Sequence, residues 1–221
     1  MLAPEPVRVS ARQAALTDLA RFIAACYYEP ETDFVEAGLF DSMGEAASHV
    51  DAELESLARR LGPAFEQQPL QELLVDYTRL FLGPVQALAQ PYASVWLSGQ
   101  NQLMQAPTLD VIALYDRAGF EIDAEFKELP DHVAVELEFL YLLLWRENEA
   151  RAAGDAAALA GTSEVKRAFL DQHLGPWLGH FVLAMHDGAQ TAFYETLAEL
   201  TERFVRLAAT DSLQPAALPT D

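Results

Sequence analysis

A chain of 221 residues with 51% hydrophobic content is one sizeable domain, or two small lobes sharing a core. Its 34 acidic against 14 basic residues give a formal net charge of −20, which disfavours nucleic acid and anionic lipid and attracts cationic partners. One cysteine excludes an internal disulfide and a cysteine-based zinc site, so Cys26, on a helical pattern, is expected to pack.

In chain order, residues 1–9 hold two prolines and no basic, apolar leader pattern, and are expected as a flexible arm of a cytoplasmic protein. Ser10 followed by Gln13 is a capping-box signal, and Leu16, Leu19, Ala20, Ile23 and Tyr27 then share one helical face ahead of Glu29-Pro30. A short helix is expected around Asp33 to Phe40. Ser42 with Glu45 reads as a second capping box, with Val50, Leu54, Leu57 and Leu61 as the buried stripe before Gly62-Pro63. Pro69 opens a helix marked by Leu70, Leu73, Leu74, Tyr77 and Phe81, which Gly83-Pro84 stops.

The following connection is too apolar for a solvated loop and is broken by Pro84 and Pro91, so it is expected to line something. Ser94 to about Leu103 reads as a short helix carrying Trp96, and Thr108 opens another that ends at Gly119. Residues 120–130 form an acidic linker and a candidate hinge.

Leu129 to Trp145 organises the rest. Pro130 disfavours helix upstream, Asp131 is placed to cap, and Phe139 to Trp145 is apolar on every side, as befits a helix walled by other helices. That run is far short of the ~20 residues needed to cross a bilayer. Asp131, His132 and Glu136 bring polar groups to the mouth of this rod. After Gly154, Thr162-Ser163 is expected to cap a helix holding Val165, Phe169 and Leu170, and His173 to Trp177 to break and restart the chain. A last helix from about Ala189 buries Phe193, Leu197, Leu200 and Phe204, ahead of a disordered tail at 209–221. The expectation is all-α: one bundle domain over residues 10–208 with nine or ten helices.

Catalytic motifs are sparse. The chain has no G-x-x-x-x-G-K-[ST], G-x-G-x-x-G or G-x-S-x-G. None of its five histidines follows a carboxylate by three residues, the spacing of helical di-iron sites. His132 and Glu136 lie one turn apart, but two ligands do not make a metal site. His186-Asp187 is the pair found in HD phosphohydrolases, so a metal-dependent hydrolase using His180, His186 and Asp187 is the enzyme alternative, although a helix end accounts for the pair. A generic dimerisation or ligand-sensing bundle is a third reading. Trp145 and Trp177 read as core residues, whereas Trp96, beside the Pro-broken connection, is placed to touch a ligand.

Four stretches together carry a resemblance. D-Y-T-R-L-F-L-G-P (76–84) with Q-P-Y-A-S-V-W-L (90–97), E-L-P-D-H-V-A-V-E-L-E-F-L (128–140), F-L-D-Q-H-L-G-P-W (169–177) and F-Y-E-T-L-A-E-L-T (193–201) resemble, in order, the signatures of the TorD/DmsD family of redox-enzyme maturation chaperones. The resemblance implies an all-helical, non-catalytic cytoplasmic chaperone without a cofactor of its own. Its implied partners are the twin-arginine signal peptide and apo-form of a molybdenum- or tungsten-pterin oxidoreductase, held until the cofactor is inserted and before Tat export. It implies a monomer or a dimer that exchanges halves at 120–130. The signal-peptide residues it implies are Phe81, Gly83, Pro84, Pro91, Trp96, Asp131 and His132. Two departures concern the client: Val85 and Tyr92 stand where DmsD-type members have tryptophan, and E-L-P-D-H differs in order from E-P-x-D-H. On this reading Asp131, supported by Glu128 and Glu136, faces the arginines, while Phe81, Pro91, Tyr92 and Trp96 receive the apolar segment.

Overall fold

The computed structural model describes residues 9–83, 86–98, 106–121 and 128–213. Ser10 opens the first helix as expected, its hydroxyl accepting from Gln13 N at 3.2 Å while its own amide donates to Gln13 Oε1 at 2.9 Å. In chain order the helices are α1 (Ala11–Ala25), α2 (Asp33–Glu36), α3 (Leu39–Ser48), α4 (Ala52–Glu66), α5 (Leu70–Tyr77), α6 (Ala93–Ser98), α7 (Ala106–Arg117), α8 (Val133–Ala153), α9 (Ala156–Phe169), α10 (Gly175–Gly188) and α11 (Ala192–Leu213). A π-helical turn, Thr78–Leu82, extends α5, and another, Leu170–Leu174, joins α9 to α10 without a break. Among the described residues this makes ten helical rods and no strand, the all-α architecture expected.

The rod predicted to be central is central. α8 packs on α1 along one side and on α9 along another, while α4 packs on α3 and α11, and α10 on α11. Leu137, Phe139, Leu140, Leu143 and Leu144 are buried. An apolar surround of this kind gives α8 its stability, since each large aliphatic side chain taken from water contributes about 1.5–3 kcal/mol. Trp177 is fully buried, but Trp145, expected in the core, is 45% exposed.

Several expected breaks are absent. α4 runs through Gly62-Pro63 to Glu66, and Gly62 leaves room for α3, since a Cβ there would lie 2.9 Å from Phe40 Cβ. α3 starts at Leu39, after Gly38 in the left-handed region, so Ser42 is inside the helix rather than capping it. α9 is capped by Asp155, which accepts from Ala157 N and Ala158 N, and not by Thr162-Ser163. Ser163 instead donates to Glu147, whose other oxygen meets Lys166 Nζ at 2.7 Å in a buried pair. Helix α11 continues to Leu213, past the expected start of the tail at 209. Most of the linker, residues 122–127, and the segments 1–8 and 214–221 lie outside the described residues.

One long-range tie sets the frame for the site. Buried Asp76 of α5 accepts from Gln190 N, Thr191 N and Thr191 Oγ1, at 2.8, 2.8 and 2.9 Å, satisfying amides ahead of α11. Its other oxygen takes Arg79 Nη1 at 2.9 Å. The D-Y-T-R run is thereby a fastening between the two halves of the chain.

Candidate functional site

The stretch before α6 and the stretch before α8 meet edge to edge. Val133 N donates to Pro91 O at 2.8 Å and Ala93 N to Asp131 O at 2.9 Å, framing an isolated antiparallel bridge between Tyr92 and His132. Proline on both strands explains the shortness of this ladder, since Pro91 and Pro130 cannot donate to it. From α7, Tyr115 Oη fixes the same turn by donating to Pro130 O at 2.7 Å. Two segments some forty residues apart in sequence thus share one polar junction.

Asp131 does not cap α8. His132 does, its Nδ1 accepting from Ala134 N at 3.2 Å, while Asp131 Oδ2 accepts from Ser94 N at 2.9 Å in the first turn of α6. Asp131 is closed off from solvent, and its Oδ1 has no hydrogen-bond partner; neither does the hydroxyl of buried Ser94. The expectation of Asp131 as an open acid at a groove is therefore corrected: the short bridge pulls it under α6. His132 is also buried, and burial outweighs the pull of Glu128 and Asp131, lowering its pKa from 6.5 to about 4. Its ring is neutral near pH 7, as its role as a hydrogen-bond acceptor requires.

Glu136 is corrected too. It faces the core with no exposure, its carboxylate held by His173 Nε2 at 2.7 Å and Trp177 Nε1 at 3.1 Å. Burial raises the Glu136 pKa against the opposing pull of those two partners. Phe81 lies in the aromatic core among Tyr27, Tyr77, Phe181 and Tyr194, not on a groove floor. Gly83 is required by the backbone: its φ is +61°, and a Cβ would stand 2.4 Å from Ala87 N. Pro84 lies outside the described residues. Buried Pro91 supplies its carbonyl to the bridge, and half-buried Trp96 donates from Nε1 to Gln90 O at 2.8 Å.

What reaches the surface here is a set of tyrosines and glutamates. Tyr92 Oη donates to Glu128 Oε1 at 3.1 Å, and Tyr28 Oη, from the end of α1, donates to Glu138 Oε1 at 2.9 Å. Both rings rest on His132, Tyr28 nearly parallel at 6.3 Å and Tyr92 tilted by 65° at 5.2 Å between centroids. Burial and then the neighbouring glutamate charges raise the pKa of both phenols, and Tyr77 feels Glu128 and Glu29 likewise. Among the described residues no basic side chain pairs with Glu29, Glu128 or Glu138. Tyr28, Tyr77, Glu29 and Glu138 were not anticipated from sequence. The E-L-E spacing of Glu136 and Glu138 was a usable signal, because residues two apart on a helix point to different sides.

Comparison with known proteins gives the family and the fold. Residues 44–183, from α3 to α10, match the family described as nitrate reductase delta subunit. The chain belongs to that family. Its curated relatives among these TorD-like proteins include the chaperone protein TorD of Vibrio atlanticus, 30% identical over 136 residues covering 62% of each chain. The chaperone protein TorD of Vibrio cholerae (strain M66-2) is 27% identical over 190 residues, covering 86% of this chain and 80% of that one. The match to the Vibrio atlanticus protein thus spans less than two thirds of its length. A crystal structure of a protein described as a redox enzyme maturation protein, from Archaeoglobus fulgidus, shares the fold with a TM-score of 0.53 at 19% identity, over 86% of this chain and 93% of that one.

The family's named relatives are chaperones rather than enzymes, and the hydrolase alternative gains nothing from the geometry. His186 is half exposed in the last turn of α10, 3.7 Å from Asp187 and 3.6 Å from Glu195. Among the described residues no three His, Cys, Asp or Glu side chains are grouped to hold a metal ion. Nor is any described helix long and apolar enough to cross a membrane.

Proposed function

We propose that this TorD-like chain is a cytoplasmic redox-enzyme maturation chaperone. It binds the twin-arginine signal peptide of a molybdenum- or tungsten-pterin oxidoreductase and keeps the apoenzyme from Tat export until its cofactor is inserted. The observation that carries this reading is the acidic, tyrosine-lined surface over His132, which has no ion-pair partner among the described residues, at the junction of the two signature segments 90–97 and 128–140. Among the described residues no arginine or lysine has to be displaced from those carboxylates by a cationic leader. Half-buried Trp96, tied to Gln90 beside Pro91, offers apolar contact to the segment that follows the arginines. A guanidinium–carboxylate hydrogen bond contributes about 1.5–3 kcal/mol, so apolar burial must supply much of the affinity.

The test is capture of precursor. Immobilised chain is offered a molybdoenzyme precursor with its leader intact, with both leader arginines changed to alanine, and with the leader deleted. Binding is expected only to the first. Equal retention of all three forms would remove the signal peptide from the reading.

A further inference from the structure

The acidic surface over His132 is divided rather than diffuse. Two tyrosines flank one imidazole, and each gives its hydroxyl to a different glutamate, Tyr92 to Glu128 and Tyr28 to Glu138. All four residues are half-buried, with part of their surface open to solvent. Each carboxylate has about four acceptor sites: Glu128 Oε1 already takes Tyr92 Oη and Leu129 N, which leaves Oε2 for a guanidinium, while Glu138 gives up one site to Tyr28 and keeps room on both oxygens. Each tyrosine offers a ring beside it, and a planar, weakly hydrated guanidinium stacks on such a ring better than an ammonium does.

An independent feature sits next to the Tyr92 arm. Asp131 Oδ1 and Ser94 Oγ are both buried and both without a partner. A buried acceptor left open costs about 1–3 kcal/mol, and because both atoms are closed off from solvent, Asp131 acts on a cation in this arm through its charge rather than by contact. Asp131 takes Ala93 N on its backbone O and Ser94 N on its side chain, the two residues that follow Tyr92, so the open atoms belong to this arm and not to the Tyr28 arm.

We infer that Tyr92–Glu128, backed by Asp131 and Ser94, and Tyr28–Glu138 are two separate guanidinium receptors, and that the surface reads a peptide with two arginines close together in an extended stretch. The inference rests on the signal-peptide reading above and adds to it which side chains take the cations. Neighbouring residues of an extended chain are 3.8 Å apart and point to opposite sides, and long arginine stems let one enter each arm across His132. A single cation leaves one arm empty.

Calorimetry on the full chain tests this with synthetic peptides carrying Arg-Arg, Arg-Ala, Ala-Arg or Lys-Lys before one leucine- and alanine-rich segment. On the native chain Arg-Arg is expected to bind about tenfold or more tighter than each of the other three, as expected for loss of one charge-assisted contact. Glu128→Gln is expected to weaken Arg-Arg and only one of the single-arginine peptides, and Glu138→Gln to weaken Arg-Arg and only the other. Tyr28→Phe and Tyr92→Phe, which keep the rings, are expected to follow their own glutamate in which peptide they affect. If Arg-Arg binds but the two glutamine variants lower all four affinities alike, or change none, the two-receptor assignment is overturned while peptide binding stands. If the native chain binds no arginine peptide, both the assignment and the signal-peptide reading fall.

Discussion

At the scale of single residues, His132 is the group whose chemistry the fold alters most visibly. Burial holds it near pKa 4, against 6.5 in the unfolded chain. Below pH 6.5 the unfolded chain therefore takes up a proton that the folded chain refuses until about pH 4. Stability falls as pH drops through that window, by up to about 3 kcal/mol. Glu128 and Asp131 face the ring and oppose the shift, while Tyr28 and Tyr92 cover it. His173 acts in a different range: burial disfavours its charged form, but Glu136, Asp131 and Asp110 outweigh that and raise its pKa. Its contribution is complete below 6.5 and is lost as pH rises through the raised value. His132→Asn keeps an acceptor for Ala134 N but cannot titrate. Denaturant unfolding at pH 7 and pH 4.5 is expected to show a smaller stability loss in this variant than in the native chain. An identical loss in both would assign the acid sensitivity to another group.

At the scale of elements, the misplaced boundaries have a common cause. Glycine and proline signal what a helix tolerates poorly, but neighbours decide whether it stops. Gly175-Pro176 reads as a break, yet the helix runs on through it, with a π-turn just before α10 in which Gly175 N donates to Leu170 O, and Pro176, which has no N–H to give, follows directly. The glycine is what the turn demands, because a Cβ there would stand 2.5 Å from Leu170 O, a backbone atom that cannot swing aside. Gly175→Ala is expected to lower stability by about 1–3 kcal/mol, the usual cost of overpacking, measured as a fall in the denaturant midpoint at unchanged slope. A midpoint within error of the native one would mean that the π-turn relaxes freely. Ser10-Gln13 was legible because a capping box is closed within its own four residues. Asp76 was not, since Gln190 and Thr191, the partners that make it a long-range tie, lie more than a hundred residues away. The same holds at the site: the sequence places Tyr92, Glu128, Asp131 and His132 near one another, but only the packing of α1 on α8 adds Tyr28 and Glu138, and only α6 closes over Asp131.

At the scale of the whole molecule, charge and shape act at different distances. The net charge of −20 spreads an attractive field for cations well beyond the tyrosine–glutamate arms, and salt shortens its reach, with a Debye length of about 10 Å at 0.1 M and about 3 Å at 1 M. Contacts inside the arms are short and partly shielded from solvent, so they respond less. A twin-arginine peptide is therefore expected to lose affinity as salt rises from 50 mM to 500 mM, with most of the loss in the association rate and little in the dissociation rate. Stopped-flow fluorescence separates the two, with Trp96 near the site as a native reporter. A dissociation rate that carries the whole salt effect would mean that local ion pairs, and not the global field, govern encounter. A constant association rate would leave the acidic excess with no part in finding the partner.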